Sequence, residues 1–167
     1  MVTEIYRTGL KRIWAAIVDG IVFMPFLLIN QWLLRKTEDT SILIGWTILT
    51  AFLPLLYSVV LHYKYGQTIG KWVTGVKVVD VSETRTLTFK QSVLRDVFYL
   101  GIEIVGLLYL AYLVFQTDKA EYLYNDYRTF ADQPILWWTF IELVTMLTNS
   151  KRRALHDLIA KSVVVRI

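Results

Sequence analysis

Four stretches of this chain are apolar almost throughout: Ile13 to Leu34, Ser41 to Tyr63, Val97 to Phe115 and Ile135 to Leu147. A helix needs about 20 such residues to cross a ~30 Å hydrocarbon core, and the first three meet that length. The fourth meets it only with help from Pro134 and Thr148 to Ser150, which gives a span over about 134–149, or with local thinning of the bilayer. The first stretch is too long for the core of a secretory signal, carries Asp19 and is followed by no small-residue cleavage pattern, so it is expected to stay attached. The connection from Arg35 to Thr40 is so short that the first two spans must lie antiparallel as a hairpin.

Between the second and third spans the pattern changes. Val76, Val78 and Val79 lead through Asp80 to Val81, a polar break follows at Ser82 to Arg85, and Thr86 to Phe89 completes a predicted β-hairpin. The β-branched Ser162 to Ile167 is available as a third strand. Thr88 with Gln91 three residues later matches a capping box, so a helix is predicted to begin near Phe89 and to enter the membrane near Val97, with Arg95 and Asp96 at the waterline. The connection from Gln116 to Gln133 carries Tyr122, Tyr124 and Tyr127 among acids, has room for a short interfacial helix, and shows no diagnostic chemistry. There is no internal repeat to support an inverted-repeat transporter. The expected fold is an all-α membrane protein, a single domain over 1–167 with four transmembrane helices and a small cytoplasmic β-hairpin between the second and third.

Composition agrees: 55% of the 167 residues are hydrophobic and the mean hydropathy is +0.45, too apolar for a soluble domain of this size. Charge adds orientation. Fourteen of the 18 basic residues fall in the N-terminal stretch, the middle connection and the tail. The other two connections hold only Arg35, Lys36, Lys119 and Arg128 beside six acids. By the positive-inside rule both termini and the middle connection are cytoplasmic, which requires an even number of spans. The basic residues hug the ends of spans, where they meet anionic lipid headgroups, and form no stripe of the kind nucleic acid needs. The chain has no cysteine, which removes disulfides, thiolate chemistry and sulfur ligands.

The chemistry that stands out is acid inside lipid. Asp19, Glu103 and Glu142 lie within apolar runs, and an ionisable group there is a functional candidate by default. Counted from the predicted entry points at ~1.5 Å per residue, all three fall about 10 Å above the inner interface. Acids in one layer can bind a cation, exchange protons or share one proton. The plainer alternative is separate pairing with snorkelling Arg12, Arg95 or Arg152, for assembly alone. Arg12 and Asp19 are seven residues apart and share a helix face. Asn30 is expected to make an interhelical hydrogen bond.

Other motifs carry less. Gly66, Gly70 and Lys71 resemble a phosphate loop only superficially, because the spacing is one residue short and Trp72 stands where a magnesium-binding hydroxyl belongs. These glycines, with Gly75, are read as bends along the membrane surface anchored by Trp72 and Lys71. His62 and His156 have no metal-site spacing. No nucleophile, metal set or cofactor cradle is visible, so neither an enzyme nor a cofactor is expected.

Taken together, Arg12 and Asp19 on the first span, Gly66-Gln67-Thr68-Ile69-Gly70-Lys71 with Gly75-Val76-Lys77-Val78-Val79, Arg95-Asp96, and Arg153-Ala154-Leu155-His156-Asp157 followed by Ser162 to Val165 resemble the RDD family of bacterial membrane proteins. The resemblance implies that the arginine and first aspartate of the family name are Arg12 and Asp19, with Asp157, or alternatively Asp96, as the second. It also implies residence in the bacterial cytoplasmic membrane. For function it points to transport of unidentified ligands, to sodium/proton antiport, or to regulatory and assembly roles. The leading expectation is an oligomeric four-span protein that moves a small monovalent cation coupled to protons. Asp19 would exchange, Glu103 and Glu142 would share its layer, and Arg12 would bias it. The alternative is a non-transporting module that binds another membrane protein, with Arg12, Arg95, Asp96 and Asp157 in a structural charge network.

Overall fold

The computed structural model of the protein describes residues 4–37, 39–116 and 120–167. Of the residues used to orient the chain, Glu38, Asp118 and Lys119 lie outside the described residues. After a 3₁₀ turn at Glu4–Tyr6, helix α1 runs over Gly9–Lys36 and α2 over Thr40–Tyr65. Asp39 caps α2, its carboxylate accepting from the Ser41 N–H at 2.9 Å. The helix stops at Gly66, whose φ of 71° is the left-handed conformation that glycine adopts without a steric penalty. A Cβ there would also lie 2.6 Å from the Val78 carbonyl oxygen.

The chain continues through α3 (Ile69–Val73), β1 (Val76–Asp80), α4 (Phe89–Arg95), α5 (Val97–Val114), α6 (Ala120–Thr148), α7 (Leu155–Ile159) and β2 (Ser162–Arg166). Among the described residues three helices are long and apolar enough to cross a membrane: α1 with the turn before it, α2 and α5. No more than 22% of the apolar window of any of them is buried, so few of their apolar side chains are enclosed by the rest of the protein, which suits a lipid solvent. The predicted capping box is present. The Gln91 N–H donates to Thr88 Oγ1 at 3.3 Å and the Thr88 N–H to Gln91 Oε1 at 3.0 Å. α4 then breaks at Asp96 before α5 starts at Val97.

Two expectations are corrected. Thr86 to Phe89 makes no strand, because Thr88 is committed to the cap of α4 and Phe89 already belongs to that helix. The partner of β1 is β2, antiparallel, with Val78 opposite Val164. Leu87 instead plugs a core with Val76, Val78 and Val164, while Tyr6 packs on the other side against Val79, Val163 and Val165. A two-stranded sheet covered on both faces explains why its strands read as continuous β-branched runs rather than alternating ones. The connection before the fourth predicted span is also mostly helix. Leu123, Tyr127 and Ala131, spaced by four, are buried, and the first two pack against Leu110 and Leu113 of α5, while Asp126 and Asp132 are exposed. The apolar run of residues 134–149 is thus the C-terminal part of α6, with Pro134 inside it.

The core around the sheet is small, so its largest plug should dominate its stability. Leu87→Ala is expected to cost about 2–5 kcal/mol. The check is a lowered thermal transition of the detergent-solubilised protein together with faster proteolysis at Lys161, just before β2.

Candidate functional site

Asp19 on α1 holds the segment between α2 and β1. Its carboxylate accepts from Tyr57 Oη at 2.6 Å, Thr68 Oγ1 at 2.7 Å and the Gly70 N–H at 2.8 Å. Tyr57 Oη in turn accepts from the Ile69 N–H at 2.9 Å, and Thr68 caps α3, accepting from the Lys71 N–H. Such contacts require α3 to lie directly on α1. Gly70 makes that possible, since a Cβ on it would fall 2.0 Å from the Ala15 carbonyl oxygen. The run from Gly66 to Lys71 is therefore a docking element, in which Gly66, Thr68 and Gly70 each have a geometric task.

Arg12 does not turn toward Asp19. Its Nη1 pairs with Asp157 Oδ2 at 2.7 Å, and the Arg95 guanidinium pairs with the other oxygen of the same carboxylate. Asp157 is 0% exposed and also accepts from the Ala154 N–H at 3.0 Å at the start of α7. Burial alone would raise its carboxyl, but Arg95 and then Arg12 outweigh that and hold it well below the usual carboxylate range. Arg95 further donates to Ser162 Oγ at 2.9 Å and meets His156 Nε2 at 2.8 Å. Since a guanidinium can only donate, His156 Nε2 accepts, and its Nδ1–H donates to Glu142. α1, α4, α6, α7 and β2 are thereby tied through one cluster.

These side chains border a cavity of about 600 Å³ walled by α1, α2, α3, the α4–α5 break, α6 and α7. Asp19 and Glu142 lie on it, with Arg12 and Arg95. Glu103 does not. It accepts from Tyr127 Oη at 2.7 Å and borders a second cavity of about 150 Å³ with Asn30, Thr47 and Arg128. Phe23 and Pro54 wall both cavities. The single layer of three acids is therefore split, because Glu103 stands one helical turn beyond Tyr99, the α5 residue that reaches the larger cavity, and turns toward α6.

Sequence reasoning gave Ser58, His62 and Lys71 no place in a cavity, yet all three line this one. Ser58 Oγ donates to Asp96 Oδ2 at 2.6 Å and lies 3.1 Å from His62 Nδ1. Lys71 was expected as a surface anchor beside Trp72. Trp72 is 71% exposed, but Lys71 lines the cavity, and burial, followed by repulsion from Arg95, lowers its ammonium to about 8. The available signal was the amphipathic pattern of α3, where Ile69, Trp72 and Val73 are exposed and Lys71 falls on the other face. Among the described residues no group of histidine and carboxylate side chains is placed to hold a metal ion.

Spare hydrogen-bonding capacity is uneven here. Asp19, Asp96 and Glu142 each accept from protein donors. Among the described residues Arg12 Nε and Nη2 are buried with no partner, and none makes a hydrogen bond or ion pair with the ammonium of Lys71, which lines the same cavity.

A model of the RDD family matches residues 6–161, nearly the whole chain, and the chain belongs to that family. It is 28% identical over 116 residues to the uncharacterized membrane protein YteJ of Bacillus subtilis (strain 168), covering 66% of this chain and 71% of the relative. No solved structure matches.

Removing one partner of a buried ion pair costs about 3–5 kcal/mol because the other charge is left uncompensated. Asp157→Asn should therefore lower the thermal transition sharply, and its effect should be far from additive with Arg12→Gln. A carboxyl depressed in the folded state stabilises fully above its unfolded value, about 4, and loses that contribution as pH falls toward the folded value. The transition should accordingly hold from pH 7 to about 5 and decline below about 4 in the parent, and decline less in Asp157→Asn. Gly70→Ala should separate α3 from α1 by steric clash alone, read as increased protease cleavage at Lys71.

Proposed function

We propose that this RDD-family chain is a four-span protein of the bacterial cytoplasmic membrane, with both termini in the cytoplasm, whose larger cavity binds a small anionic solute. The observation that carries this reading is the surplus of donors: Arg12 Nε and Nη2 lack partners and Lys71 lines the same space, whereas the bordering carboxylates already accept. Buried N–H groups without partners are costly, and a phosphate-, sulfate- or carboxylate-bearing molecule supplies the oxygens they lack. A volume of about 600 Å³ suits a small molecule. The C-terminal part of α6 supplies the fourth span, and the basic residues at the sheet end supply the orientation.

Exchange of a monovalent cation against protons is the weaker reading. It asks Asp19, Glu103 and Glu142 to act together, but Asp19 carries three donors and Glu103 belongs to the other cavity. A purely structural or partner-docking module is the second reading, favoured by the Arg12–Asp157–Arg95 tie, which holds the fold without any ligand.

Sulfate, phosphate and succinate added to the purified protein should each be tested for a raised thermal transition. At one hundred times Kd a ligand contributes about 2.7 kcal/mol, a shift of several degrees. Lys71→Met should abolish the shift while leaving the unliganded protein at least as stable, since it removes a half-buried charge that its surroundings disfavour. Flat transitions with all three anions would sink the reading, and anion uptake into proteoliposomes would separate a transporter from a binding module.

A further inference from the structure

We propose that His62, Ser58 and Asp96 form a proton relay that couples anion binding in the larger cavity to the uptake of one proton. The coupling rests on the anion-binding reading above; the relay itself stands on its own geometry.

Ser58 Oγ donates to Asp96 Oδ2 at 2.6 Å and lies 3.1 Å from His62 Nδ1. An ionised carboxylate only accepts, so the Ser58 hydroxyl proton is directed at Asp96 and Ser58 Oγ must accept from His62 Nδ1–H. His62 is then the Nδ1–H tautomer, and its Nε2 carries a bare lone pair. That atom is buried without a partner among the described residues, on a side chain that lines the cavity. An acceptor left open beside surplus donors is where an arriving proton would bind.

The transfer is balanced. A proton from the cavity binds His62 Nε2, the Nδ1 proton passes to Ser58 Oγ, and the original Ser58 proton passes to Asp96 Oδ2. One proton is gained, the imidazole remains neutral at the end, and the carboxylate loses its charge. Both outcomes favour an anion: Nε2–H now donates into the cavity, and a negative group has left its wall.

The surroundings suit this route. Lys71 from α3 and Arg95 from α4 line the same cavity as His62 and Asp96, so the carboxylate is the group whose charge an added proton removes, and His156 from α7, neutral while its Nε2 accepts from Arg95, borders them. Arg12 and Asp19 from α1, Tyr99 from α5 and Glu142 from α6 complete the charged wall. Burial raises the Asp96 carboxyl, against the opposing hydrogen bond from Ser58, which brings its protonation closer to neutral pH.

The relay can be read with no ligand present. The chain has 2 histidines, so the imidazole ¹⁵N spectrum of the labelled protein in nanodiscs contains two rings. His62 should change from the Nδ1–H to the Nε2–H tautomer as pH is lowered from 9 to 5, and Ser58→Ala and Asp96→Asn should each remove that change. Between pH 5 and 7, where Lys71 keeps its charge, sulfate, which does not titrate in this range, should bind up to about tenfold more weakly per pH unit on the alkaline side of the transition, and with near-constant affinity in both variants. A single tautomer throughout, an imidazolium in place of the switch, or an unaltered switch in both variants would overturn the relay. A switch without sulfate binding at any pH would overturn the coupling and the anion reading, with the relay left standing.

Discussion

The Asp157 carboxylate, buried between the guanidiniums of Arg12 and Arg95, is the constraint on which the arrangement at the sheet end depends. Three charges out of water are tolerable only when each neutralises another and the remaining hydrogen-bond capacity is used. Asp157 meets that condition by also capping α7, and Arg95 by reaching Ser162 and His156. Because these partners come from both ends and the middle of the sequence, the cluster determines where α1, α4 and the tail sit relative to each other. The cavity is the space left between them.

Asp19 plays the complementary part on the same helix. Two turns beyond Arg12, it draws the Gly66 to Lys71 segment onto α1 and so presents Lys71 to the cavity rather than to the surface. Arg12 and Asp19 thus do different work: one locks the C-terminal elements, the other closes the wall formed by α3. Neither leaves a free carboxylate, so the polar chemistry still open to a ligand falls to Arg12's remaining N–H groups, Lys71 and the His62–Ser58–Asp96 chain.

Much of the fold was legible because lipid imposes a coarse pattern. Apolar length alone located α1, α2 and α5, and Thr88 with Gln91 marked the start of α4 to the residue. The β-branched runs at Val76 and Val163 were identified as strands, but pairing is a long-range choice that composition does not encode, and the nearer segment at Thr86 was wrongly preferred as partner. The stripe of Leu123, Tyr127 and Ala131 was present in the sequence and was obscured by the acids between its members. For the site, depth counting placed Glu103 beside Asp19, yet rise along an axis says nothing of the direction a side chain faces, and that direction assigned Glu103 to the smaller cavity. Ser58 went unnoticed and His62 was given no role for a related reason: one turn apart on an apolar helix, they acquire meaning only when Asp96 arrives from another element.

The Arg12 to Asp157 contact joins residues 145 positions apart, and a chain is made from its N-terminus. During biosynthesis Arg12 must therefore wait, hydrated or among headgroups, while α2, α5 and α6 are made. The nascent protein passes through a stage in which its long apolar helices are made but its polar chamber is open on one side, and only the arrival of the segment that carries Asp157 converts that open bundle into a closed one.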